Sequence, residues 1–564
     1  MRKITFLVLY IYVLFSFQGF GQEIRLKISG NTEKETKVLD SLGYNKIHPN
    51  YNSIKRELDS LQNKLINIGF LENELLDITK KNDTSFTSNI NLKNKFNTIY
   101  IYYNNEEIDK STLNLISNAV LDDYFVLKIA DIEKALTFIN SEISEKGYPF
   151  SKLKLVDITN EPNATLKANL ALETPDKKRT INDIVLKGYT KFPQSYLKHF
   201  LKIKPDQVFD LNTIQTKTTQ LNNLKFAKEL KPPEVLFTND STTLYLYIEK
   251  TKSNAFDGFL GFGTNEETGK LQFDGYLNLN LNNNLNFGES LRLLYKSDEN
   301  DQQTFEADVS LPYLFKSPIG VDLLLRIFRR DSSFTTTNQS AKIHYQINPK
   351  HKAFGGILAT ESNNLLSNNT NQTITDYKTQ YYTFAYQFIN PQNYNALFPI
   401  NSKVFLETGF GDRTTDNGSE KQTQLLFEAH KIFNLNLKNS FYIRLNGAHL
   451  ISDSYFENEL MRFGGINSIR GFEENSLYAT LYGVVNTEYR YQISNTIFIH
   501  SIIDAAYFEN KIINTDEKLF GYGFGFGLLT KAGLFRFNYA NGKTENSAFN
   551  LSNSKIHISL TTNF

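Results

Sequence analysis

The sequence predicts α+β repeats in its N-terminal half, followed by a transmembrane antiparallel β-barrel of about 16 strands. Three observations carry this reading. Apolar residues at helical spacing recur with a period of 78 residues up to about residue 250. From about Ala255 onward, period-2 alternation replaces that spacing and runs to the end of the chain. Beyond the N-terminus no stretch reaches the ~18 uninterrupted apolar residues of a spanning helix, so a membrane crossing has to be made by strands.

The first residues have the form of a secretory signal, assigned to residues 1–21: Arg2 and Lys3, an apolar run over 4–17, then Gly19 and Gly21. The 564-residue chain has no cysteine, which excludes disulfide staples, zinc–thiolate sites and a lipidated N-terminal Cys. With 61 Lys and Arg against 60 Asp and Glu, the net charge of +1 supplies no field for nucleic acid. Aromatics make up 13% of residues, with 45 Phe, 31 Tyr and no Trp, a composition suited to the interfacial girdles of a barrel. There is no Gly-x-Ser-x-Gly elbow, and the eight histidines are scattered without metal-ligand spacing. The expectation is a protein that is not an enzyme and that uses no cofactor, metal or nucleotide.

In the first half, Leu58, Leu136 and Ile214 share one column of the repeat, and Leu65, Ile143 and Leu221 another. Ile54, Leu58, Leu61 and Leu65 lie on one helical face, and Ile132, Leu136, Ile139 and Ile143 repeat that spacing. Gly69-Phe70 and Gly147-Tyr148 follow these helices as C-terminal caps, whereas the third copy has Lys225-Phe226 and must end differently. Strand-like runs at 24–28, 99–103 and 184–187 open the copies, and alternating runs such as Leu166, Ala168, Leu170 and Leu172 close them. Each unit reads strand, helical region, strand, strand. This pattern resembles the POTRA domains of the BamA/TamA superfamily of outer-membrane assembly factors. It implies POTRA-like domains at 22–98, 99–178 and 179–252, whose sheet edges can pair with an extended peptide.

The barrel is assigned to 253–564. Leu277, Leu279 and Leu281 alternate with asparagines, and after an Asn turn Leu285 and Phe287 are expected to resume the apolar face. Phe433, Leu435 and Leu437 lead similarly into Phe441, and Tyr522, Phe524 and Phe526 turn at Ala532-Gly533 into Phe535. The final strand alternates Ile556, Ile558, Leu560 and Phe564 against polar neighbours, an aromatic-ended C-terminal signal. An even strand count returns the C-terminus to the side of the repeats.

Between the eleventh and twelfth predicted strands lies Ile469-Arg470-Gly471-Phe472, preceded by Gly464-Gly465. The tetrapeptide is weak alone and informative in a long loop with five strands after it. It resembles the loop-six motif of the BamA/TamA superfamily, in which the loop folds into the lumen and its arginine meets acidic residues on the next two strands. That resemblance implies Glu488 and Asp504 as the partners of Arg470. Parity agrees: Glu488 opposes Val485 and Tyr489, and Asp504 opposes Ile503 and Tyr507, so both carboxylates should face inward. Ala506 stands where the family has a glycine.

Three repeats and this length place the resemblance nearer to TamA than to BamA. It implies an outer-membrane barrel with its repeats in the periplasm, assembling or inserting other outer-membrane proteins. The implied partners are unfolded outer-membrane client proteins, a periplasm-spanning accessory protein and membrane lipids, with no nucleic acid. A seam between the first and last strands would accept client strands. The alternatives are a two-partner secretion-type transporter, which typically has two POTRA modules and a plug helix, and a passive outer-membrane pore.

Overall fold

The computed structural model describes residues 23–175, 177–264, 271–297, 302–366, 373–531, 533–547, 550–551 and 554–563; the signal-like segment 1–21, Ala532 and Phe564 lie outside the described residues. The chain divides into two compact units, Met1–Thr180 with Val208–Asp210 and Ile181–Gln207 with Leu211–Phe564.

The first unit holds two α/β modules. In the first module, the strand Ile24–Gly30 lies between Ile47–His48 and Ser85–Asn91, with Glu74–Asn82 outermost. Ile24–Gly30 and Ser85–Asn91 run parallel, because a helix crosses between them. That helix, Tyr51–Asn67, buries Ile54, Leu58, Leu61 and Leu65 against Leu26, Ile28 and Ile90 of the sheet. Asn50 caps it by accepting the Ser53 N–H at 2.9 Å. The second module repeats the arrangement, with Thr98–Tyr102 central and Ile132–Glu145 burying Ala135, Ile139 and Ile143. Each module contains one strand more than alternation signals, Ile47–His48 and Tyr124–Lys128. These strands have two and five residues, too few to display a period inside the helical region that surrounds them.

The second unit joins a third module to the barrel. Its sheet has Thr242–Lys250 between Ala227–Phe237 and Asp183–Gly188. The helix Leu211–Thr218 tightens into a 3₁₀ turn, Thr219–Asn223, and ends at an extended Leu224, the different ending that Lys225-Phe226 demanded. A π turn, Tyr196–Phe200, presses on the barrel: the Tyr196 ring meets Tyr313 edge-on at 4.8 Å, and its hydroxyl donates to the Gly288 carbonyl at 3.2 Å. Burial raises the Tyr196 phenol well above its ordinary pKa and keeps it a donor. Beside it, the Tyr189 hydroxyl donates to Asn286 Oδ1 at 2.6 Å and accepts from Asn283 Nδ2 at 2.8 Å.

The barrel is closed and has 16 antiparallel strands. Strands 1 to 8 are Ala255–Thr264, Leu271–Asn282, Ser290–Ser297, Gln302–Leu311, Ile319–Arg330, Phe334–Asn348, His351–Asn364 and Tyr377–Pro391. Strands 9 to 16 are Ile400–Thr415, Gly418–Asn434, Asn439–Ile451, Leu481–Gln492, Ile497–Asn510, Thr515–Leu529, Leu534–Thr544 and Ser554–Asn563. Inward and outward positions alternate. On strand 8, Tyr377, Thr379, Tyr381 and Thr383 are buried inward, while Tyr382 and Phe384 are each 60% exposed on the lipid face. On strand 16, Ile556, Ile558 and Leu560 are likewise exposed outward.

Strand heights differ around the wall. Strands 6 to 10 have 14 to 17 residues, whereas strands 1, 3 and 16 have 10, 8 and 10. The additional length, at the ends of strands 6 to 10 away from the third module, is polar outside: Thr337, Glu361, Lys378, Gln380, Asp412 and Lys421 occupy outward positions there, with Glu361 and Lys378 paired at 3.2 Å.

Two expected strand segments are turns. Leu285 and Phe287, 67% and 69% exposed, lie in the turn 283–289 rather than on strand 3. Asn283, Asn286 and Gly288 have positive φ there, and the Glu289 carboxylate accepts the N–H groups of Leu285 and Phe287. Leu435 and Leu437 similarly lie beyond the end of strand 10. Both pairs keep the outward parity of the preceding strand, so alternation alone runs through the turn.

The outward position of Ile503, mid-strand and 55% exposed, gives a direct test of this alternation. Ile503→Lys should destabilise the folded barrel in lipid bilayers by about 2–4 kcal/mol, measured by reversible denaturant unfolding. A cost near zero would put this face in water.

Candidate functional site

The loop 452–480 joins strands 11 and 12 and turns into the barrel. Its two limbs pair as a short ribbon, Met461–Phe463 with Leu477–Ala479, which carries the segment 464–476 as a tip. Gly464 and Gly465, at φ 111° and 90°, begin the tip.

At the tip, Ile469 is fully buried among Phe463, Val484, Ala506 and Leu519, with Phe472 half-buried beside them. This apolar contact sets Arg470 against the inner wall. Its Nε and Nη2 donate to the two Asp504 oxygens at 2.8 and 2.6 Å, and its backbone N–H donates to Asp504 Oδ2 at 3.0 Å. Nη1 donates to Glu488 Oε1. The Arg470, Glu488 and Asp504 side chains are 6%, 9% and 0% exposed, so the pairing is a buried one. Glu488 also accepts from Arg490 Nε at 2.7 Å, and the Arg490 guanidinium lies 3.9 Å from the Tyr442 ring centroid. Two guanidinium and two carboxylate groups therefore balance in charge. The planar fork of Arg470 satisfies Asp504 bidentately, a geometry that a lysine does not provide.

The strand ladder gives way around this cluster. Strands 12 and 13 pair from Leu481↔Glu509 to Thr487↔Ile503 and resume at Arg490↔His500. In the gap the Tyr489 N–H donates to Ser501 Oγ at 3.0 Å.

Gly471 has φ 92°, and a Cβ on it would lie 2.4 Å from the backbone nitrogen of Gly542 on strand 15. Gly542 returns the constraint, with its own Cβ position 2.4 Å from the Gly471 carbonyl oxygen. Gly521 on strand 14 would meet the Arg470 carbonyl at 2.3 Å. Loop and wall thus touch backbone to backbone, which requires glycine on both sides. Gly542 escaped the sequence reading because a single glycine in a strand carries no motif.

Sequence reasoning also missed a second set of anchors at the opposite wall. The one-turn segment Glu457–Glu459 is held by Arg330 of strand 5, which meets Glu457 at 2.6 Å. Asn458 donates to Ser362 Oγ of strand 7 at 2.8 Å and accepts from the Thr375 N–H at 3.3 Å. Arg413 of strand 9 meets Glu459 at 2.6 Å, both side chains being under 5% exposed, and also holds Glu420. The loop is therefore fixed to both sides of the lumen. Among the described residues, no group of three or more His, Cys, Asp or Glu could hold a metal ion.

Residues 179–250 match the POTRA family model, described as a surface antigen variable number repeat. No curated protein matches the sequence. Among solved structures, CdiB from Escherichia coli is similar at 14% identity and a TM-score of 0.54, covering 91% of this chain and 97% of its own. CdiB from Acinetobacter baumannii is similar at 14% identity and 0.51, covering 77% and 82%. BamA from Haemophilus ducreyi lacking POTRA domains 1-3 is similar at 14% identity and 0.50, covering 82% and 99%. The fold is the one these structures have, POTRA-like α/β domains followed by a closed 16-stranded barrel. With its apolar outward face, the barrel is an outer-membrane barrel, and the POTRA region is periplasmic.

Arg470→Ala would leave the buried Asp504 without its cation and Glu488 with Arg490 alone, a change that typically costs about 3–5 kcal/mol. Loop 452–480 of this variant should become sensitive to protease added outside the cell, and Arg470→Lys should restore protection only in part. Gly542→Ala, which leaves every charge in place, should release the loop as well. Full protection in both Arg470→Ala and Gly542→Ala would mean that the Glu457–Glu459 anchors hold the loop by themselves.

Proposed function

We propose that this protein assembles or inserts other outer-membrane proteins, using the edge between strands 1 and 16 to accept client strands. The observation that carries this reading is how little pairing closes the barrel. Among the described residues, strands 1 and 16 join at two positions, Ala255↔Asn563 and Phe256↔Thr562, whereas strands 15 and 16 pair at eight. Both positions lie at the periplasmic end. Above them each strand keeps a row of backbone donors and acceptors facing the other, the kind of edge that adds a strand. In lipid such groups must be satisfied, and an entering strand satisfies them while burying its own apolar face in the bilayer. No nucleotide is needed.

The POTRA-like domains at 22–98, 99–178 and 179–252 receive clients or a periplasm-spanning accessory protein. The third stands on the periplasmic turns through Tyr189 and Tyr196, and so places whatever it binds beneath the barrel. Arg470, held by Glu488 and Asp504 and flanked by Ile469, Gly471 and Phe472, keeps loop 452–480 inside the lumen during this work. No reaction chemistry is involved.

Export of a soluble protein through the lumen, as in two-partner secretion-type transporters, is the second reading. One observation favours it: inward positions of strands 3 to 9 carry charged pairs, including Arg292–Glu306 and Lys342–Glu407, a wall a hydrophilic chain can pass.

A photo-crosslinking residue placed at Phe256 and separately at Ile558, in living cells, distinguishes these readings. Assembly predicts capture of nascent barrel proteins through their C-terminal strands, at least severalfold weaker with Arg470→Ala. Capture of a soluble secreted protein would favour export. Cross-links to neither would leave a passive pore.

A further inference from the structure

The two residues after the loop-six tetrapeptide, Glu473 and Glu474, point to opposite sides of the seam. Glu473 Oε1 accepts from Lys555 Nζ of strand 16 at 2.8 Å. Glu474 Oε1 lies 3.5 Å from Lys296 Nζ of strand 3, across strands 1 and 2 from strand 16. Both lysines occupy the extracellular ends of their strands, Lys555 one residue from the start of strand 16 and Lys296 one residue from the end of strand 3. The two ladder pairs that close the barrel are at the other, periplasmic end. One dipeptide thus bridges, from the lumen, the stretch of seam that backbone pairing leaves open.

We infer that Glu473 and Glu474 form a clasp by which loop 452–480 holds the seam shut. The clasp is placed by its neighbours in sequence. Arg470 is fixed to strands 12 and 13, Gly471 lies on Gly542 of strand 15, and Phe472 follows against the same glycine. Three residues fixed to the stable wall therefore aim two carboxylates at its weakest joint. Each pair is part-exposed, between 26% and 51% by side chain, so each is weak and reversible on its own. Weakness suits the role: two such pairs bias a seam toward closure without locking it, and an arriving strand can displace them. Arg470 accordingly acts on the seam through the clasp rather than by contact with it.

This inference rests on the seam being the working edge, and its test reads seam closure without any client, so the two ideas fail separately. The full chain has no cysteine, so spin labels attach only where they are placed. With labels at Leu293→Cys on strand 3 and Ile558→Cys on strand 16, pulsed electron spin resonance in bilayers gives the spread of distances across the seam. Glu473→Lys with Glu474→Lys should increase the separated population roughly three- to tenfold. Adding Lys296→Glu and Lys555→Glu should restore the original distribution, which a merely structural role for these side chains would not do. Should the reversed variant fail to fold, Glu473→Gln with Glu474→Gln keeps the shape and loses the charge, and the same increase is expected. Raising salt to 1 M should widen the distribution of the parent protein and leave the glutamine variant unchanged, since screening then acts within about 3 Å. A distribution indifferent to charge reversal or neutralisation, or one not restored by the swap, would overturn the clasp.

Discussion

The pairing of Arg470 with Asp504 and Glu488 is the constraint on which the inside of this barrel depends. A buried guanidinium is tolerable only beside carboxylates, and buried carboxylates only beside cations, so neither partner can leave without stranding the other. The Arg470 backbone N–H is committed to the same Asp504, which ties the loop's main chain as well as its side chain to the wall. From that point the loop's path is determined. Ile469 must enter the apolar pocket lined by Phe463 and Leu519, and Gly471 must lie on Gly542. The interruption of the ladder at Glu488 and Tyr489 is the accompanying cost, lessened by the Ser501 hydroxyl.

Much of this was legible from alternation. Period 2 assigned Glu488 and Asp504 to the face opposite Tyr489 and Ile503, and the structure has the first pair at 7% and 1% exposure and the second at 43% and 55%. The barrel and its strand number were equally readable, because lipid enforces alternation on every strand. Parity names a face, however, and not the distant segment that meets it. Arg413 and Glu459 are 46 positions apart, and nothing local to either marks their contact. The contact of Gly471 with Gly542 was hidden for the same reason. At Leu285 and Phe287 the error has a different origin. The outward parity continued through a turn whose signal lay in Asn283, Asn286 and Gly288, the residues that accept positive φ.

The third module shows how a repeat is altered at a boundary. The first two helices end in ordinary caps, but the third shortens into a 3₁₀ turn, and a π turn stands upstream where the other modules have the helices Glu33–Leu42 and Lys110–Leu113. That π turn carries Tyr196, whose ring and hydroxyl both face the barrel. His199 and Lys202 extend the junction by donating to the carbonyls of Lys316 and Ile347. Departures from the repeat therefore fall where the module meets a new neighbour, and in the helical region rather than the sheet.

The polar extension of strands 6 to 10 concerns what lies outside the cell. Its outward residues are hydrophilic, so this part of the wall rises out of the lipid as a bare sheet. Strands 9 and 10 are joined there by only Asp416 and Asn417. An antibody or phage approaching this part of the surface would meet side chains from several strands, held in fixed register. Such an epitope is discontinuous in sequence. Serum raised against it would bind the folded barrel and lose recognition when the strands separate, making it a reporter of folding on intact cells.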